Sequence, residues 1–174
     1  MITLISGTNR PNSLTLNITK YYQSLLTIRE IPTQIMDLST LPEDFVFSAL
    51  YQNAGKNQKF NTFQKIIDEN DKFVFIIPEY NGSFPGVVKA FIDGLRYPDS
   101  WEDKKIALVG LSAGMQGATL GLSHLQDVLV YCGANVLGMR VKMPYIHQYF
   151  KENLITYEPY NQYLDKQIEK FLVF

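Results

Sequence analysis

Two short loops hold the residues whose types and spacing point to chemistry. Near the start lies Ser6-Gly7-Thr8-Asn9-Arg10-Pro11-Asn12-Ser13, and mid-chain lies Pro78-Glu79-Tyr80-Asn81-Gly82-Ser83-Phe84-Pro85-Gly86. The first combines hydroxyls, a guanidinium and the start of a helix. That set suits a phosphomonoester, an anion that needs several donors and preferably a cation, with the N–H groups of a helix start adding aimed dipoles. Thr8, Arg10 and Ser13 are the donors in question. The second loop offers an aromatic, an amide and a glycine, so backbone amides of Asn81 and Gly82 can approach a flat heterocycle while Tyr80 meets its ring. A third loop, Ser112-Ala113-Gly114-Met115-Gln116-Gly117, is again glycine-rich. Each loop alone also reads as an ordinary turn, with Ser13 a helix cap, Arg10 solvated and Tyr80 a half-buried core aromatic. Three such loops following different strands of one sheet are what a mononucleotide site in this architecture requires.

The elements around the loops supply that sheet. Ile2 to Ser6 is a short apolar run, followed from Ser13 by Leu14, Ile18, Tyr21, Tyr22 and Leu25 at helical spacing. Thr33 to Leu38 reads as a second strand. Ser39 to Lys56 has no clear period and reads as loop, a lid or a partner surface. Phe60, Phe63, Ile66 and Ile67 mark a helix ending near Asn70. Phe73-Val74-Phe75-Ile76-Ile77 then reads as a central parallel strand covered on both faces. Helix and strand repeat as Phe84 to Leu95 and Ile106 to Leu111, with Pro85 where a first helical turn accepts proline. Leu120 to Cys132 follows as a helix stopped by Gly133. Val136 to Met143 reads as the last strand and Pro159 to Leu172 as the closing helix. This alternation predicts an α/β fold: a three-layer, doubly wound, parallel five-stranded sheet in the flavodoxin-like order 2-1-3-4-5. Its crevice falls between the first and third strands, where both chemistry-bearing loops emerge.

Bulk composition excludes several function classes. At 174 residues one domain is expected, spanning residues 1–174, and 46% apolar composition can build a core without disulfides. A formal charge of -1 speaks against a nucleic-acid or anionic-membrane surface. Cys132 is the only cysteine, so neither an intramolecular disulfide nor a multi-thiolate metal site is available. No metal is expected, and no apolar stretch approaches the roughly 20 residues that cross a bilayer; a cytoplasmic location is expected. His124 and His147 read as structural or solvated, and Cys132 as a small hydrophobe. Tyr145, Tyr149, Phe150 and Tyr157 are dense for a loop and point to a partner surface or a substrate wall.

At its three loops the chain resembles the NADPH-dependent FMN reductase family, flavodoxin-like enzymes that include quinone, azo-dye and chromate reductases. The family pattern Gly-Ser-x-Arg-x-x-Ser is similar to Gly7-Thr8-Asn9-Arg10-Pro11-Asn12-Ser13, with Thr8 keeping the hydroxyl. Pro-Glu-Tyr-Asn-x-Ser-x-Pro-Gly-x-x-Lys stands complete from Pro78 to Lys89, and Ser-x-Gly-x-x-Gly matches at Ser112, Gly114 and Gly117. Ala90 departs from the family's asparagine after the lysine, which bears on helix packing or a subunit contact. The resemblance covers about Ile2 to Gly138.

The resemblance implies that Thr8, Arg10 and Ser13 hold the FMN phosphate. It implies that Pro78, Glu79, Tyr80, Asn81 and Gly82 frame the isoalloxazine, with Ser112 and Gly114 bordering its far side. It also implies an enzyme, a homodimer or homotetramer, that passes hydride from NADPH or NADH through flavin N5 to a flavin, quinone or azo-type acceptor. A flavin carries such chemistry itself, so no catalytic acid, base or nucleophile is expected of the protein. A flavodoxin-type electron carrier that binds FMN without turning over NAD(P)H, and a flavin-binding sensor, stay open as rivals. The near-neutral loops disfavour the carrier, which would gather acids for docking.

Overall fold

The computed structural model describes residues 1–174. In chain order the elements are β1 (Ile2–Ser6), α1 (Leu14–Thr27), β2 (Thr33–Asp37), α2 (Phe45–Ser48), α3 (Gln58–Asp68), β3 (Lys72–Pro78), α4 (Gly86–Gly94) and β4 (Lys105–Leu111). They continue as α5 (Thr119–Tyr131), β5 (Asn135–Val136), β6 (Val141–Met143), α6 (Ile146–Tyr149), β7 (Phe150–Lys151), β8 (Leu154–Ile155) and α7 (Glu158–Val173). The sheet runs β2-β1-β3-β4-β5 with every pairing parallel, the order expected from the alternation of strand and helix.

Strand residues alternate between two cores. Phe73, Phe75 and Ile77 of β3 join Ile106 and Leu108 of β4 under α3, α4 and α5, while Val74, Ile76, Ala107 and Val109 face α1 and α7. The two clusters hold 25 and 19 buried residues, so neither face of the sheet is left to solvent. That double coverage is why the β3 sequence is apolar without alternation.

Local sequence sets the ends that matter. Ser13 is the N-cap of α1, in extended conformation, its Oγ accepting the Leu16 N–H at 3.1 Å. Such a cap stabilises a helix by about 1 kcal/mol. Gly133, at φ 87°, ends α5 in the left-handed region where glycine carries no Cβ penalty. Pro85 caps α4 from just outside its first turn.

Three expectations need correction. The last strand is broken: β5 pairs with Lys105–Ile106, β6 with Val109–Leu111, and the chain between them leaves the sheet. Beside the break the Leu108 carbonyl accepts from the side-chain amide of Gln167 on α7, at 2.9 Å, and the same nitrogen donates to the Met139 carbonyl at 2.9 Å. Gln167 is fully buried, the one polar residue among Tyr160, Leu164, Ile168 and Phe171 on the buried face of α7.

The segment Ser39 to Lys56 is not plain loop either. Its 3₁₀ turns Leu38–Thr40 and Tyr51–Asn53 and the single-turn α2 send Leu38, Leu41, Phe45, Ala49 and Leu50 into the core, while Phe47 and Tyr51 stay exposed. Lastly, the buried stripe of α1 is Thr15, Ile18, Thr19, Tyr22 and Leu26, with Leu14, Tyr21 and Leu25 at its margin. Threonine is tolerated inside because the Thr19 hydroxyl donates to the Thr15 carbonyl at 2.8 Å.

The tyrosines after β6 pack largely on one another. Tyr149 stacks on Tyr157 at 4.8 Å between ring centroids, both meet Tyr160 edge-on, and the Tyr160 hydroxyl donates to the Pro144 carbonyl at 2.6 Å. This cluster braces the β7–β8 hairpin and the turn preceding α6. No helix is long and apolar enough to cross a membrane.

Candidate binding cleft at the carboxyl edge of the sheet

Strands β1, β3 and β4 are parallel neighbours, so the loops that follow them emerge side by side at one edge. They enclose a cleft of about 430 Å³, within the usual range for a small-molecule site. Its walls are residues 10–15, Pro78, Glu79 and Tyr80, Leu111, Ser112 and Ala113, and the buried Ile146. It lies between β1 and β3, where the strand order reverses and such sheets bind ligands. A larger cavity of about 710 Å³ runs along α4 and α5, but none of the residues expected at a site line it. Its floor of Ile92, Leu95, Trp101 and Val128 is apolar, and its Lys89 is neutralised by Asp93 at 2.7 Å. The smaller cleft is where polar donors converge.

Arg10 stands at the mouth, exposed, and forms no ion pair within the chain. Ser13 Oγ accepts a hydrogen bond from the Leu16 N–H and keeps its own proton to donate to a ligand. Leu14 and Thr15 bring the first turn of α1 to the cleft, with helix-start N–H groups that lack intrahelical partners. Glu79 is held across the floor by its N–H, which donates to the Leu111 carbonyl at 2.8 Å.

Of the ten residues expected at the site, Arg10, Ser13, Pro78, Glu79, Tyr80 and Ser112 line the cleft, and Thr8, Asn81, Gly82 and Gly114 do not. Thr8 is fully buried behind Tyr80, its Oγ1 2.7 Å from the tyrosine hydroxyl and accepting the Arg10 N–H at 3.2 Å. Tyr80 therefore reaches toward the first loop and does not lie free as a stacking platform. Asn81 and Gly82 form a two-residue turn, φ 50° and 74°, closed by backbone bonds between Tyr80 and Ser83 of 2.8 and 3.0 Å. Positive φ at both central residues is what such a hairpin demands, hence Asn-Gly.

Ser112 spends its proton within its own loop, donating to the Gly114 carbonyl at 2.6 Å while accepting the Gly117 N–H at 2.8 Å. It shapes the third loop and can only accept from a ligand. Ile146 went unnoticed in the sequence because its segment has no period. Backbone bonds place it: the Tyr145 N–H donates to Gly114 and the Ile146 N–H to Ser112. His124, read as structural or solvated, lies 3.0 Å from Ser83 Oγ and so touches the hairpin that carries Tyr80. Cys132 is half-buried away from the cleft, and burial pushes its thiol above its ordinary pKa.

Donors for an anion at one end of the cleft, with residues 78–80 and 111–113 lining the rest of it, are what a phosphorylated heterocycle requires, so the lining fits FMN. Comparison with known proteins agrees with this chemistry. Residues 1–148 match the family described as NADPH-dependent FMN reductase. An NAD(P)H:quinone oxidoreductase of Solanum tuberosum is 34% identical over 106 residues, which is 60% of this chain and 53% of that protein. An NAD(P)H-dependent FMN reductase of Pseudomonas aeruginosa is 35% identical over 106 residues, 60% of this chain and 56% of that protein. The matched stretch thus spans about half the length of these curated relatives. A flavoenzyme NAD(P)H:acceptor oxidoreductase of Paracoccus denitrificans superposes with a TM-score of 0.78 at 26% identity, covering 98% of this chain and 93% of that one. With the profile match running through all three cleft loops, the chain belongs to the NADPH-dependent FMN reductase family.

Proposed function

We propose that the protein is an FMN-dependent oxidoreductase that takes hydride from NADPH or NADH and delivers it to a quinone, azo or flavin acceptor. The observation that carries this reading is an unpaired guanidinium, a serine with a free proton and a helix start converging on one end of the cleft. Arg10 and Ser13 would hold the phosphate; the backbone of residues 78–80 and Ala113 would border the ring system. When bound, FMN supplies the two-electron chemistry, and the protein contributes orientation and a sheltered face. No side chain of the cleft is assigned a proton-transfer role, in keeping with an open face that admits nicotinamide and acceptor in turn.

Anaerobic mixing tests this reading. FMN-loaded protein should lose its visible flavin absorbance rapidly on addition of NADPH or NADH and regain it with a quinone. Persistence of the flavin colour with both nucleotides would leave an electron carrier instead.

The same reading includes a homodimer or homotetramer. Tyr51, Tyr97 and Tyr131, all strongly exposed, rim the cavity along α4 and α5 and offer an apolar face for a second copy. Sedimentation equilibrium should then return a multiple of the chain mass; the chain mass itself at every concentration would exclude self-association.

A further inference from the structure

The hydroxyls of Thr8 and Tyr80 lie 2.7 Å apart, and either could be the donor. Counting protons decides between the two arrangements. Thr8 Oγ1 already accepts the Arg10 N–H, and its only other partner is the Tyr80 hydroxyl. If Tyr80 donated to Thr8, the threonine proton would be left in a fully buried position with nothing to receive it. An unsatisfied buried donor costs on the order of 1–3 kcal/mol. If Thr8 donates to Tyr80, the buried hydroxyl is satisfied and the surplus proton belongs to Tyr80, which lines the cleft and is 36% exposed.

We propose that the Tyr80 hydroxyl is the donor presented to the ligand's phosphate, and that Thr8 is a positioning residue that acts through it. This departs from the sequence expectation, in which Thr8 contacts the phosphate and Tyr80 the ring. It rests on the flavin reading of the cleft and specifies which end of that ligand Tyr80 serves. The phosphate end is indicated because Thr8 and the Arg10 N–H belong to the loop that leads into α1, on the same side as Ser13.

Tyr80 is held in this pose from behind. Its N–H and carbonyl are both bonded to Ser83, and Ser83 Oγ meets His124 Nδ1 at 3.0 Å. One turn earlier on α5, Gly121 abuts the same segment so closely that a Cβ there would come within 2.8 Å of the Ser83 carbonyl carbon and 2.9 Å of the Phe84 nitrogen. The hairpin is thus seated on α5 and aims its tyrosine across the cleft at Thr8.

Paired titrations with FMN and riboflavin, which differ only in the phosphate, test the assignment by quenching of flavin fluorescence. Tyr80→Phe should raise the FMN Kd roughly ten-fold or more, the effect of losing a hydrogen bond to a charged group, while riboflavin binding stays unchanged. Thr8→Val should weaken FMN selectively as well, Thr8→Ser should restore parental affinity, and the Thr8→Val and Tyr80→Phe effects should not add. Equal loss for both ligands would place Tyr80 against the ring or the ribityl chain and overturn the proposal, as would no loss for either. Parent protein that binds neither flavin would instead remove the flavin reading itself, and this proposal with it. Thermal melting of each variant separates a folding defect from a binding one, and Thr8→Ser keeps the test decisive where Thr8→Val unfolds.

Discussion

Replacing Arg10 by alanine is expected to weaken FMN binding by about 1.5–3 kcal/mol, the range for hydrogen bonds to charged groups, or roughly 10- to 150-fold in Kd. The effect is large because Arg10 is the only cationic side chain lining the cleft. It has no carboxylate partner inside the chain to compete for its guanidinium. The remaining donors, Ser13, the first turn of α1 and the Tyr80 hydroxyl assigned above, are neutral groups and would hold the phosphate without a cation. Because Arg10 is exposed, its contribution is open to screening, so the difference between parent and variant should shrink as salt is raised. Arg10→Lys should fall between the two, keeping the charge but losing the planar fork that meets two phosphate oxygens at once. Fluorescence titration reads all three proteins. Parent and Arg10→Ala binding FMN with the same affinity would remove Arg10 from the site.

What the sequence made legible follows from what kind of physics sets each feature. β1, β3 and β4 were readable because burial on both faces forces unbroken apolar runs, and the loops after β3 and β4 because Gly82 and Gly117 occupy positive-φ positions that sequence marks plainly. The placing of the cleft followed from strand order alone. Directions of side chains did not follow. Thr8 sits in a phosphate-loop pattern yet lies beneath Tyr80, because a partner 72 positions away takes its hydroxyl. Ser112 has its proton spent two residues on, within its own loop. Such local and distant partners compete for the same donors, and spacing cannot rank them. Ile146 was invisible for a related reason: two backbone bonds to the third loop place it, and backbone bonds leave no trace in residue type. The break between β5 and β6 was hidden because Val136, Leu137, Met139 and Val141 make a plausible strand; the discontinuity shows only in the register, which resumes on β4 two residues further along the last strand than an unbroken one would.

Beside that break, Gln167 is a polar residue whose loss should cost the fold heavily. Its amide nitrogen donates to the carbonyls of Leu108 and Met139, and its carbonyl accepts from the Tyr22 hydroxyl at 3.3 Å, all within a residue fully closed to solvent. Gln167→Leu keeps approximate volume and apolar packing while leaving the half-buried Met139 carbonyl and the buried Tyr22 hydroxyl without this partner and taking one donor from the Leu108 carbonyl. At about 1–3 kcal/mol for each group left unsatisfied, and less than additive where the chain relaxes, the expected loss is roughly 2–4 kcal/mol. Against a typical total of about 5–15 kcal/mol this is a large fraction of stability. Tyr22→Phe supplies the internal control. It removes the longest of the three bonds, takes the donor from the buried Gln167 Oε1 and leaves both carbonyls bonded, and should cost about 1–2 kcal/mol, less than Gln167→Leu. The damage from Gln167→Leu should also reach the cleft. β6 carries the Met143 carbonyl that accepts the Ser112 N–H at 3.2 Å, so loosening the break loosens the third loop and should weaken FMN binding in protein that is still folded. Urea unfolding gives the first quantity and flavin titration the second. A Gln167→Leu protein whose unfolding midpoint matches the parent's would show that water or a local shift satisfies the Leu108 and Met139 carbonyls equally well, and that the split edge of the sheet does not depend on α7.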